Sequence, residues 1–141
     1  WQRGDRSITW PVAHTRKSEM IRVTERTESR LLARGNYVLL KRISANDDRT
    51  GRSHPALLLE SDFKGYERVG LENHIQYLHM AGQGMDSTLA AGLAEYLKSE
   101  TVERGLSVIS GTTQLNKADI SALRFPTKSE LERVGRVALG E

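Results

Sequence analysis

Cysteine is absent from the 141 residues. That excludes disulfides, thiolate zinc sites and a cysteine nucleophile, and it is compatible with a cytosolic bacterial protein. Proline is scarce: Pro11, Pro55 and Pro126 are the three present, none adjacent to another. No apolar run approaches the roughly 18 residues that a membrane-crossing helix requires, so the chain is read as soluble and cytoplasmic, with no membrane partner. It starts at Trp1, with neither an initiator methionine nor the basic start and apolar stretch of a signal peptide. It is therefore expected to be an excised part of a larger protein.

Catalytic constellations are also missing. A phosphate-binding loop needs a P-loop or a GxGxxG fingerprint after a strand, and Gly82-Gln-Gly84 lacks both the third glycine and the apolar strand before it. His74 and His79 are five positions apart, which suits neither one face of a strand nor one face of a helix, so no metal site is expected. No nucleophile elbow marks a serine, and Asp47 and Asp48 stand in turn sequence rather than as a catalytic pair. The chain itself is read as non-catalytic.

What the chain does have is an uneven charge. Its net charge is +3, yet residues 1–56 hold 12 Lys and Arg against 6 Asp and Glu, whereas residues 57–141 hold 9 against 12. The whole basic surplus lies in the first part. Such a surplus suits a surface that faces phosphates, because each neutralised phosphate releases counterions; a solvated basic surface is the plainer reading.

The length fits one domain able to bury a core unaided, and residues 1–141 are read as a single unit. Ile8 to Val12 suits a short edge strand carrying a proline. Thr24 to Ala33 is rich in helix formers, with Gly35 as its stop. Asn36 to Ser44 is the strongest strand candidate, and Ala45 to Pro55 a polar, basic loop. Ala56 to Glu60, Tyr66 to Leu71 and His74 to His79 read as further strands in a meander-like sheet. The second half changes period. Asp86 caps a helix with Leu89, Leu93, Tyr96 and Leu97 on one face. A short helix over Glu100 to Arg104 stops before Gly105, and Ser107 to Ser110 reads as a strand. Asn116 with Asp119, and Thr127 with Glu130, have capping-box spacing and open two more helices, the last with Leu131, Val134 and Ala138 along one side. The expected fold is α+β: a mixed or antiparallel twisted sheet from the first half, with packed helices mainly from the second.

Three segments carry a resemblance. They are Arg34-Gly-Asn-Tyr-Val-Leu-Leu-Lys-Arg-Ile-Ser-Ala45, Val69-Gly-Leu-Glu-Asn-His74, and Ser110-Gly-Thr-Thr-Gln-Leu-Asn-Lys-Ala-Asp-Ile120 with Leu123-Arg-Phe-Pro126. Together they resemble the C-terminal target-recognition regions of adenine-N6 DNA methyltransferases from type II restriction-modification systems, and the last segment also resembles the recognition domains of type I specificity subunits. The catalytic Asn-Pro-Pro-aromatic motif of that family cannot be present, since no two prolines are adjacent, and its glycine-rich S-adenosylmethionine motif is missing. The resemblance implies a duplex-reading module whose partners are double-stranded DNA and the catalytic domain of the same polypeptide. S-adenosylmethionine is then a cofactor of the parent enzyme, with no cofactor expected in this chain. The alternative is a protein-interaction domain that docks on its catalytic partner without reading bases.

Within that frame the DNA-binding candidates are Arg16, Lys17, Lys41, Arg42, Arg49, Arg52, Asn73, His74, Tyr77 and Gln114. Arg and Lys at strand ends and in polar loops can reach phosphates or the O6 and N7 of guanine. Asn73 offers the amide that can pair with adenine, beside His74 and Tyr77, although a turn and a strand explain the same residues. Gln114, with Thr112, Thr113 and Asn116, either fixes the loop ahead of a helix or reads a base.

Overall fold

The structure is a computed structural model and describes residues 20–43, 52–109 and 114–141. The edge strand expected at Ile8 to Val12, the candidates Arg16, Lys17 and Arg49, and most of the loop expected at Ala45 to Pro55 lie outside the described residues. Elsewhere the fold is α+β, with strands in the first half and helices mostly in the second.

The apolar run of β2 (Tyr37–Lys41) is buried on both faces up to Leu40, so it takes the centre of a three-stranded antiparallel sheet. β3 (Pro55–Leu58) pairs along one side, Tyr37 opposite Leu58 and Leu40 opposite Pro55. β5 (Ile75–Leu78) pairs along the other, Val38 opposite Leu78 and Lys41 opposite Ile75. Pro55 is tolerated because it opens an edge strand. The order is therefore β3-β2-β5 and not the sequential meander expected. β4 (Arg68–Gly70) has only Val69 to bury, and it leaves this sheet to pair with β1 (Leu31–Ala33) in a separate ribbon.

That ribbon also corrects the helix expected over Thr24 to Ala33. Only α1 (Glu25–Glu28), a single turn capped by the Thr24 and Thr27 hydroxyls, is helical. Pairing with β4 and the burial of Leu32 outweigh the local helix propensity of the following residues.

Alternation along β2 divides the interior. Val38 and Leu40 face a helix-side core with Leu89, Leu97, Val102, Leu106 and Leu131, while Tyr37 and Leu39 face a second core with Leu32, Leu58 and Phe63. The Tyr37 hydroxyl donates to the Ala33 carbonyl at 2.9 Å. Burial, then the neighbouring Tyr77, pushes this phenol above its ordinary pKa.

Four helices cover the first core. Asp86 caps α2 (Ser87–Leu97) as expected, accepting from the Thr88 N–H at 2.9 Å. α3 (Glu100–Ile109) runs straight through Gly105 and takes in Ser107 to Ile109 of the strand expected at Ser107 to Ser110, Ser110 lying outside the described residues. Val102 and Leu106, four apart, are both buried, so the burial favours continuation, and Gly105 carries the helix on past the stop it was expected to make. α4 (Lys117–Ser121) and α5 (Lys128–Leu139) open at the expected capping residues.

The buried face of α5 is not the one expected. Leu131 and Gly135 are buried, whereas Val134 and Ala138 are exposed. The cause is a close helix crossing. A Cβ added at Gly92 would lie 1.9 Å from the Leu131 carbonyl oxygen, and one added at Gly135 would lie 1.7 Å from that of Thr88. The two glycines let α2 and α5 meet backbone to backbone, and this turns the valine stripe outward.

Candidate nucleic-acid interface

Antiparallel pairing brings the end of β2 and the starts of β3 and β5 to one end of the sheet, where the candidate residues gather. A short segment leading into α4 closes that end. The Leu115 N–H donates to the Arg42 carbonyl at 2.8 Å, Ile43 bridges Gln114, and the Gln76 side chain donates to the Leu115 carbonyl. Arg42 N–H in turn donates to the His74 carbonyl at 2.7 Å. Backbone bonds from three strands and a loop thus fix the positions from which the side chains project.

Arg42, Asn73, Gln76, Tyr77, His79, Asn116 and Lys117 line an open cleft beside β5, with Ile75 among them. Three sequence candidates meet there: Arg42, Asn73 and Tyr77. Lys41, Arg52, His74 and Gln114 do not line the cleft. Lys41 is exposed at the end of β2, and Gln114 lies at the bridge to Ile43. Arg52 sits ahead of β3, where the two oxygens of the Glu103 carboxylate accept from its N–H at 2.6 Å and from that of Ser53 at 2.7 Å. α3 thereby clamps the end of the basic loop. His74 is engaged by Glu72, whose carboxylate meets its Nδ1 and accepts its backbone N–H at 3.1 Å.

Tyr77 is 41% exposed, edge-on to buried Tyr37 at 6.0 Å and tilted against His79 at 5.5 Å. The Gly82 N–H donates to His79 Nδ1 at 2.8 Å, in a tight turn with Ala81 and Gly82 at positive φ. That acceptor role leaves the proton of the neutral ring on Nε2, so His79 offers the cleft a donor.

Carboxylates hold two cations of the ribbon. Arg34 pairs with Glu60 at 3.0 Å, and Arg68 with Glu28 at 2.9 Å. Lys41, Arg42 and Lys117 form no ion pair among the described residues. An exposed cation without a carboxylate partner keeps its full charge for an anionic ligand.

Gln76 and Lys117 are not singled out by the sequence, which offers His79 only as a metal-ligand candidate and Asn116 only as a loop or cap residue. Alternation could have found Gln76, since Ile75, Gln76, Tyr77 and Leu78 in a strand put a polar residue on the face of Leu40. Lys117 directly follows Asn116 in the most specific of the resembling segments.

Gly82 and Gly84 provide no cofactor cradle. Gly82 belongs to the tight turn, and a Cβ at Gly84 would lie 2.9 Å from the backbone of Gly35 and Asn36, so chain already fills that space. These residues do not fit S-adenosylmethionine. Among the described residues no group of three His, Asp or Glu side chains could hold a metal ion, and no helix is long and apolar enough to cross a membrane.

The chain matches a segment of type II methyltransferases. It is 34% identical over 136 residues to the type II methyltransferase M.PstI of Providencia stuartii, which covers 96% of this chain and 26% of that protein. It is 30% identical over 130 residues to the type II methyltransferase M.BsuBI of Bacillus subtilis, covering 92% of this chain and 25% of that protein. The chain thus spans about a quarter of the length of these relatives. No protein-family profile matches it, and neither does any solved structure.

Proposed function

We propose that this chain is the double-stranded-DNA recognition module of an adenine-N6 methyltransferase in a type II restriction-modification system, and that methyl transfer from S-adenosylmethionine takes place in the remainder of such an enzyme. The observation that carries this reading is the sheet end, where Arg42 and Lys117 stand without carboxylate partners among the described residues, beside the amides of Asn73, Gln76 and Asn116. Cations position a duplex through its phosphates, while amides discriminate base edges. The similarity to type II methyltransferases over a quarter of their length supports the division of labour.

A second reading rests on the exposed apolar side chains of the helical layer, Val134, Val137 and Phe125, with Val137 76% exposed. They suit docking against a catalytic domain. Titration with duplex DNA at two salt concentrations tests the first reading. A DNA reader loses affinity steeply as salt rises. Absence of duplex binding at low salt would leave docking as the function.

A further inference from the structure

The side-chain amide of Gln76 is held in one orientation. Its Nε2 donates to the Leu115 carbonyl, and Leu115 is itself fixed, its side chain buried and its N–H bonded to the Arg42 carbonyl at 2.8 Å. Turning the amide over would set Oε1 against the Leu115 oxygen, acceptor against acceptor. Gln76 lies opposite Leu40 on the central strand, so its backbone position is set by the sheet and not by a loop.

A primary amide has two N–H donors and one carbonyl acceptor. The bond to Leu115 uses one N–H, leaving one donor and the carbonyl acceptor. Gln76 lines the cleft with Arg42, Asn73 and Lys117, among cations able to hold a phosphate backbone nearby. In the major groove adenine presents the complement, an N7 acceptor next to an N6 amino donor. Guanine presents two acceptors, cytosine a donor, and thymine an acceptor beside a methyl group.

We infer that Gln76 reads an adenine in the major groove, Oε1 accepting from N6 and the remaining Nε2 hydrogen donating to N7. This rests on the reading of the chain as a duplex-DNA recognition module. Leu115 is the positioning residue that holds the amide in this orientation.

The test selects duplexes from a randomised pool with the intact protein, its Gln76→Met variant and its Gln76→Glu variant, and reads base preference position by position. The parent is expected to enrich a motif with an adenine whose preference falls roughly tenfold in Gln76→Met, the other positions holding. Gln76→Glu, with acceptors only, cannot donate to the Leu115 carbonyl and is expected to lose the adenine preference at that same position as Gln76→Met does. Thermal melts accompany each variant, and if Gln76→Met does not fold, Gln76→Asn, which keeps the amide and shortens its reach, is read instead. An unchanged motif overturns the inference, and so does a loss spread evenly over all positions, which would make Gln76 only a prop for Leu115. Duplex binding without base preference by the parent overturns the inference alone, whereas no duplex binding at low salt overturns the underlying reading as well.

Discussion

The crossing of α2 and α5 and the open end of the sheet are built from opposite materials. At the crossing, Gly92 and Gly135 bring two backbones together, leaving no room for a single added carbon. At the sheet end, Arg42, Asn73 and Lys117 stand on backbone fixed elsewhere and face open space. The contrast teaches which positions the fold constrains and which it leaves to a ligand. Change at the crossing should cost stability and spare contacts to DNA, and change at the sheet end should do the reverse.

The strongest attack on that contrast is Gly92→Val. Its side chain overlaps the Leu131 carbonyl, so the helices must separate, and the expected loss is about 3 kcal/mol or more, a fall of roughly 10 °C in a thermal melt. A variant that melted with the parent would show that the crossing is loose. Next comes Glu103→Ala, at the link between α3 and the loop. It removes the acceptor for the Arg52 and Ser53 amides and should cost about 2 kcal/mol by denaturant unfolding, with Glu103→Gln restoring part of it.

Paired replacements sharpen the electrostatic side. Arg42→Ala combined with Lys117→Ala should leave folding within about 0.5 kcal/mol of the parent. It should also weaken duplex binding about tenfold or more and lower the salt slope by about two. Arg34→Ala, whose guanidinium is shared between Glu60 and Glu67, should cost less than about 1 kcal/mol and leave the salt slope alone. Equal slopes in the two variants would show that ion pairing does not distinguish ribbon from sheet end.

The smallest effect is one of pH. Hydrogen bonds from Thr88 hold the Asp86 carboxyl below its ordinary value of 3.8, and bonds from Thr127 hold that of Glu130 below 4.5. Both groups are depressed in the folded state. Their contribution is complete above those ordinary values and disappears as pH falls through the folded ones. Acid titration followed by helical circular dichroism should show the helical layer weakening in that window, less so in Thr127→Val, with the proposed duplex-binding surface unaffected by either group.

Much of the helical layer was legible, because capping is local chemistry. Asp86, Asn116 and Thr127 announce their helices by residue type and spacing, and the structure starts a helix after each. β2 was legible as well, from its apolar run. What failed depended on partners distant in sequence. Leu31 to Ala33 become a strand only because Arg68 to Gly70 come alongside, and Gly105 stays helical because Leu106 is buried. Val134 was placed on one side with Leu131 from the periodicity of α5 alone, since nothing local reveals that Gly135 would be drawn against Thr88. The candidate site was legible in Arg42, Asn73 and Tyr77. Alternation could have marked Gln76 as polar on an apolar face, but its hydrogen bond to Leu115, far along the chain, is not visible in the sequence.

The glycine crossing also has a consequence in time. α2 and α5 are joined by a long stretch of chain that includes two other helices, so their contact closes a large loop and has no local precursor. A contact of that kind is expected to form late in folding, so that Gly92→Val speeds unfolding more than it slows refolding in denaturant-jump kinetics. Releasing α5 from that crossing, as Gly135→Val is expected to do, would open the apolar face of α2 to solvent.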